Sequence, residues 1–245
     1  MTARARTALF LVAAAGLGAL LGWGVSGLPA FGDFHGAYGS FLSEAALGQR
    51  HTTNVVAAVV FDYRAFDTLG EELMLFAAVT GTALLLREAR EEEAKQVVDA
   101  VRSEPVRLAG LAAFPVVVLL GLFVVAFGYL TPGGGFQGGV VIALGLLLVY
   151  LAGDHRSFRR LTPTAGVDAF EGGGAAAFVG LSLGALAAGL AFQENFLSLG
   201  TIGLLRSGGS IPLLNWATAV EVSAAFVLLF CEFLEEIMVE RRRDG

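Results

Sequence analysis

Charge is scarce in this chain. Only 16% of its 245 residues are Asp, Glu, Lys or Arg, against about 25% in soluble domains. Cysteine is scarcer still. Cys231 stands alone, which excludes an intrachain disulfide and leaves no cysteine set for a zinc or iron–sulfur centre. Of the three histidines, His35 and His51 read as surface residues, because neither stands at zinc-type spacing from another histidine or cysteine. No metal site is expected. The net charge of −6 lacks the basic surface that nucleic-acid binding needs. No glycine-rich dinucleotide fingerprint, phosphate loop or nucleophile elbow occurs where a strand and helix could use it. No cofactor is expected either.

Apolar runs fill the space that charge leaves. The chain is 56% apolar with mean hydropathy +0.71, and its 33 glycines suit the close packing of membrane helices. A bilayer crossing takes about 20 apolar residues. Six stretches qualify: 8–28, 69–86, 108–130, 137–151, 173–192 and 213–233. The first follows a basic MTARAR start, as in a signal peptide, but its apolar part is longer than such peptides carry and no clear cleavage site follows. The expected fold is therefore all-α, a polytopic membrane protein of six transmembrane helices. With the N-terminus inside, 13 of the 16 basic residues fall on the inner side, which predicts that both termini are cytoplasmic.

The segment REAREEEAKQVVDAVRSEP (87–105) carries the densest charge. Its signs alternate at helical spacing, as for Glu91 and Lys95, which predicts a solvated cytoplasmic helix continuing the second span. Ser103 and Pro105 then read as a fresh helix start. The chain divides there into a two-span module (1–95) and a four-span module (96–245). The outer loop before the second span contains a stretch, 38–47, expected to form a short helix.

The mouth of that second span is FDYRAFDTLGEELMLF (61–76). The preceding NVVAAVVF (54–61) is apolar but too short to cross, which suggests a re-entrant or interfacial segment. Thr68 and Glu71 match a capping box, with Thr68 as the N-cap, and Arg64 can neutralise Asp67. Capping needs one or two acids, yet Asp62, Asp67, Glu71 and Glu72 fall within eleven positions. Arg64, Asp67 and Glu71 share one helical face. Carboxylates at membrane depth are costly and usually face a cavity or a partner. From the residues alone, helix capping and an ion path stand level. Glu221 lies deep in the last span, either paired with a neighbouring subunit or snorkelling to face water.

Between the third and fourth spans runs YLTPGGGFQGG (129–139). Pro132 stops the helix. Gly133, Gly134, Gly135, Gly138 and Gly139 exceed what a plain hairpin requires, so this turn is expected to pack closely on a neighbour or to line a cavity.

These two stretches carry a family likeness. TPGGGFQGGVVIA (131–143) resembles the signature of the MnhB/MrpB family, the B-type subunits of the Mrp-type multisubunit Na⁺/H⁺ antiporters. NVVAAVVFDYRAFDTLGEELMLFAAVTG (54–81) resembles the C-terminal end of the large A-type antiporter subunits. In membrane-bound hydrogenases that module occurs separately, as an MbhE-like subunit. The resemblance implies a non-enzymatic, non-redox component of a cation/proton antiporter in a bacterial or archaeal cell membrane. Its implied partners are the large complex I-like A and D subunits, the small C, E, F and G subunits, and membrane lipid, with Na⁺ and H⁺ as the ions carried. It assigns Glu71 to an acid implicated in transport, Asp62 and Asp67 to its polar companions, and Pro132 and Phe136 to functionally sensitive positions. Two departures stand out. Tyr129 replaces a histidine common in relatives, which removes a neutral-pH proton relay there. No lysine lies in any span, so the chain lacks the intramembrane Lys/Glu pairs of a complete pump. The same module in a redox-driven complex, and a packing subunit without ion contact, are the alternatives.

Overall fold

A computed structural model describes residues 3–29, 32, 36–90, 103–152 and 155–243. Among them are nine α-helices: α1 (Ala3–Ser26), α2 (Ala37–Arg50), α3 (Val55–Ala58), α4 (Ala65–Arg90), α5 (Glu104–Ala126), α6 (Gly135–Ala152), α7 (His155–Leu161), α8 (Thr164–Ala187) and α9 (Ile211–Arg243). Six of these are long and apolar enough to cross a membrane: α1, α4, α5, α6, α8 and α9. They are the six spans expected from the sequence. His35 and most of the charged linker, residues 91–102, lie outside the described residues. The chain forms two compact units, residues 1–41 and 42–245. The first contains α1 and the start of α2. The second contains the end of α2 and helices α3 to α9.

Helix boundaries follow local chemistry. Pro105 sits in the first turn of α5, where its missing N–H costs nothing. Ser103 is at the N-cap as expected, but its hydroxyl makes no capping bond. The short helix expected at 38–47 is α2. The fifth span is displaced from its expected position. It runs from Thr164 to Ala187 rather than 173–192. By hydropathy Asp168 and Glu171 mark that segment as extramembranous, but they face other helices, so α8 begins directly after Pro163. It ends before Gly189, whose φ of 77° suits a left-handed helix stop.

The long helix α9 is the centre of the bundle. It packs against α4, α6 and α8, while α5 pairs with α6. One end of the bundle is closed by an ordered loop of residues 188–210. There the Asn195 side chain accepts the Ser210 N–H at 2.8 Å and caps the approach to α9. The other end is tied by Arg87 of α4, which reaches Asp168 of α8 at 3.0 Å and Glu232 of α9 at 2.8 Å.

The apolar core is split. One cluster, near the 188–210 loop, contains Ala57, Phe61, Phe178, Ile211 and Leu214. The other, toward Arg87, contains Val79, Ala143, Val167, Ala225, Leu228 and Cys231. Between them, on three helices at once, lie buried polar residues: Glu72 on α4, Glu171 on α8, and Thr218 and Glu221 on α9. A polar layer across the middle of a membrane bundle is costly, and it is where function is to be sought.

Candidate functional site

The site begins with Asn54. Its side-chain oxygen accepts the N–H groups of Val56 and Ala57 and starts α3. Its amide donates to the carbonyls of Gly128 (2.5 Å) and Thr131 (3.1 Å) in the glycine-rich turn. The hydroxyls of Thr52 and Thr53 donate to the carbonyls of Tyr129 and Leu130. The 52–54 segment is thus fastened to that turn by side chains. Asn54→Ala is expected to cost about 1–2 kcal/mol from the lost cap alone, seen as a lower thermal midpoint of the purified protein.

The chain continues from α3 into one π-helical turn, Val59–Tyr63, and breaks at Arg64 (φ −132°, ψ 34°). α4 therefore starts at Ala65, three residues before Thr68. This corrects the capping-box expectation. Thr68 lies inside the helix, and its hydroxyl donates to the Val60 carbonyl at 2.6 Å, satisfying an acceptor in the widened turn. The displaced register decides which acids are buried. Glu71 is exposed, whereas Glu72, 100° further round, is 1% exposed.

A cavity of about 240 Å³ joins the two sequence motifs. Val60, Phe61, Thr68, Glu71 and Glu72 line it from one side, Gly133–Gln137 from another, and Thr218 from α9. The glycines serve close approach. A Cβ on Gly135 would overlap the Asn215 carbonyl oxygen. Instead the Gly135 N–H donates to Asn215 Oδ1 at 2.5 Å, and Asn215 Nδ2 donates to the Val125 carbonyl at 2.7 Å. One fully buried amide thereby joins α5, α6 and α9 behind the cavity. Gly138 packs on α5 and Gly139 on α9. Phe136 lines the cavity, while Pro132 is exposed at the turn.

Glu72 and Thr218 line the cavity, and behind them the carboxyl of Glu221 lies beside that of Glu72. Glu221 is 0% exposed. None of the four carboxyl oxygens, nor the Thr218 hydroxyl, has a hydrogen-bond partner of good geometry. Among the described residues no cation forms an ion pair with either acid. Two carboxyls in such surroundings call for a compensating positive charge, either a proton or a bound cation.

The remaining candidates lie elsewhere. Asp62 accepts from Arg50 Nε at 2.6 Å and does not line the cavity. Arg50 also covers the Tyr63 ring at 4.9 Å, and burial pushes the Tyr63 phenol above its usual range. This cluster fastens the end of α2 to the π-helical turn. Arg64 and Asp67 form an exposed pair at 2.5 Å. Tyr129 donates to the Leu205 carbonyl at 2.7 Å, a structural bond between the glycine-rich turn and the long loop. Sequence reasoning missed Asn54, Asn215 and Thr218. A signal existed for two of them: Asn215, Thr218 and Glu221 recur every third residue in an otherwise apolar span, marking one polar stripe.

Residues 105–228 match the family model described as a domain related to the MnhB subunit of Na⁺/H⁺ antiporter. An uncharacterised protein of Methanocaldococcus jannaschii is 31% identical over 233 residues, covering 82% of this chain and 84% of its own length. A Rhizobium meliloti protein, named as a probable A/B subunit of a K⁺/H⁺ antiporter, is 35% identical over 141 residues, 48% of this chain but 14% of its own length. Among solved structures, a chain of the membrane-bound sulfane sulfur reductase, an archaeal respiratory membrane complex, matches with TM-score 0.70 and 30% identity, over 94% of this chain and 98% of that one. A chain of the Mrp complex from Dietzia sp. shares the fold with TM-score 0.71 at 23% identity, over 95% of this chain and 26% of that one.

Proposed function

The chain belongs to the family of domains related to the MnhB subunit of Na⁺/H⁺ antiporters, and from that membership we propose that it is a non-redox membrane component of a multisubunit cation/proton antiporter in a prokaryotic cell membrane. It is a transporter component rather than an enzyme. Both termini face the cytoplasm, and the cavity between α4 and the glycine-rich turn opens outward. The two-span part (1–95) acts as an A-type module joined to the B-type part (96–245). The relative named for both types in one chain supports that division.

One observation carries the reading: two buried carboxyls, Glu72 and Glu221, lie side by side, Glu72 lining the cavity and Glu221 behind it, with every oxygen unsatisfied. A proton or a monovalent cation arriving through the cavity completes this site, and its departure leaves the site charged and ready to refill. Glu71 stands at the mouth and attracts cations. Arg64 and Asp67 neutralise each other beside it, and Asp62 holds the wall in place. The chain has no intramembrane lysine, so the driving machinery resides in partner subunits that resemble complex I pumps.

A second reading is favoured by the end-to-end likeness to a chain of a respiratory complex: the same module in a redox-driven membrane arm. Mild-detergent purification on a tagged copy of this chain separates the two. The expected result is a complex of membrane subunits without iron–sulfur absorbance, whose vesicles exchange Na⁺ or K⁺ for H⁺. Co-purifying iron–sulfur subunits, with exchange that depends on an electron donor, would overturn the antiporter assignment.

A further inference from the structure

Glu171 was not among the residues singled out by sequence, and the outer cavity does not reach it. It is 4% exposed, and its Oε1 has no hydrogen-bond partner. It sits on α8 in the polar layer between the two apolar clusters. Gly174, one turn along the same helix, lies directly against the backbone of Glu221, with space for no side chain between them. α8 and α9 therefore meet at the level of the carboxyl pair, and Glu171 lies one turn, roughly 4.5 Å of rise, closer to the Arg87 end.

The charged groups that face Glu171 come from all three helices. Glu221 approaches from α9, Asp168 from its own helix and Arg87 from α4. Arg87 in turn holds Asp168 with two bonds of 3.0 and 3.1 Å and Glu232 with one of 2.8 Å. From the cavity toward the basic end of the bundle, the order is Glu71, the Glu72/Glu221 pair, Glu171, and then the Arg87–Asp168–Glu232 cluster. Along α4 alone, Glu72 and Arg87 are separated by about 22 Å of helix, most of a hydrocarbon core.

We propose that Glu171 is a proton carrier linking the outer carboxyl pair to the cytoplasmic end of the bundle, and that Arg87 is the fixed cation closing that end. The inference rests on the ion-path reading of the outer cavity and extends it across the membrane. A proton held by Glu221 or Glu72 passes to the Glu171 carboxylate, leaving the donor charged. Glu171 then releases it toward Asp168. Arg87 pairs with Asp168 and Glu232 and holds both carboxylates in place at the far end of the route. With two carboxylates on one guanidinium, the cluster at that end is net negative and draws a proton leaving Glu171 onward.

The test uses the complete complex in proteoliposomes with Glu171→Gln, Glu171→Asp and Glu72→Gln. Glu171→Gln is expected to assemble with an unchanged thermal midpoint, to lose cation/proton exchange, and to remove one protonated-carboxyl band from the pH-difference infrared spectrum. Glu171→Asp is expected to regain part of the exchange. Wild-type exchange in Glu171→Gln beside an inactive Glu72→Gln would remove Glu171 from the route while leaving the outer site standing. Wild-type exchange in both would overturn the ion-path reading itself. An unaltered infrared difference spectrum in Glu171→Gln, or loss of exchange that tracks a fallen thermal midpoint and is not relieved in Glu171→Asp, would make Glu171 a packing residue and overturn the proposal.

Discussion

Glu72→Gln in the reconstituted complex is expected to lower cation/proton exchange to the level of vesicles without the complex, while thermal stability holds or rises. The two halves of this expectation have one cause. Glu72 and Glu221 are buried side by side with no hydrogen-bond partner on any carboxyl oxygen. Isolating a charge from water costs several kcal/mol, and replacing buried ionic groups by neutral ones of similar shape is often neutral or stabilising, by about 1–4 kcal/mol. Gln matches Glu in shape but carries neither a proton nor a charge through a cycle. A structural pair behaves in the opposite way: its loss lowers stability and leaves turnover alone. Glu71→Gln provides the comparison. Glu71 is exposed at the cavity mouth, so removing its charge is expected to weaken cation capture and leave most of the exchange at saturating cation. Normal turnover in Glu72→Gln together with an inactive Glu71→Gln would move the carrier to the mouth and leave the pair without a transport role.

The second large effect is on folding. Gly135→Val is expected to destabilise the protein by about 3 kcal/mol or more, read as a lower thermal midpoint and less complex recovered from the membrane. The first Cβ already overlaps the Asn215 carbonyl oxygen and would meet the Thr218 Cβ at 2.9 Å. α6 and α9 must then separate. That separation breaks the 2.5 Å bond from the Gly135 N–H to Asn215 and strands a buried donor, at a further cost of about 1–3 kcal/mol. Gly70, in the DTLGE stretch, is the control. A Cβ there meets nothing within 4 Å, so Gly70→Ala is expected to leave stability level or raise it by up to about 1 kcal/mol through helix propensity. Equal behaviour of the two variants would mean that α6 and α9 do not meet as closely as described.

These expectations separate what the two motifs do. The glycine-rich turn brings three helices and the segment from Asn54 to Tyr63 close enough to enclose a cavity, and Asn54 and Asn215 satisfy the backbone groups that such proximity buries. The acidic stretch supplies one buried carboxyl and one at the mouth. Its other charges, Asp62, Arg64 and Asp67, are held in pairs with Arg50 and with each other. Helix starting and ion handling, which stood level from the residues alone, are distributed differently from either expectation. The helix starts at Ala65 without the Thr68 cap, and the buried carboxyl is Glu72.

The sequence by itself determined the number of spans, because hydropathy is a sum over neighbours along the chain and a bilayer sets the length of the run. It also determined the likeness to the MnhB/MrpB family, because TPGGGFQGG is a contiguous answer to a local demand for backbone proximity. Only the tertiary structure decided which acid is buried. Adjacent helical residues point 100° apart, and the π-helical turn before α4 sets where each of them points. It alone decided that Glu72 meets Glu221 and that Glu171 stands one turn from that pair, since those residues lie on different helices and nothing in their local sequence records the meeting. The fifth span shows the same limit. Asp168 and Glu171 lower its hydropathy, yet the bundle places Arg87 beside one and the carboxyl pair near the other, so a segment that looks extramembranous along the chain is interior in the fold.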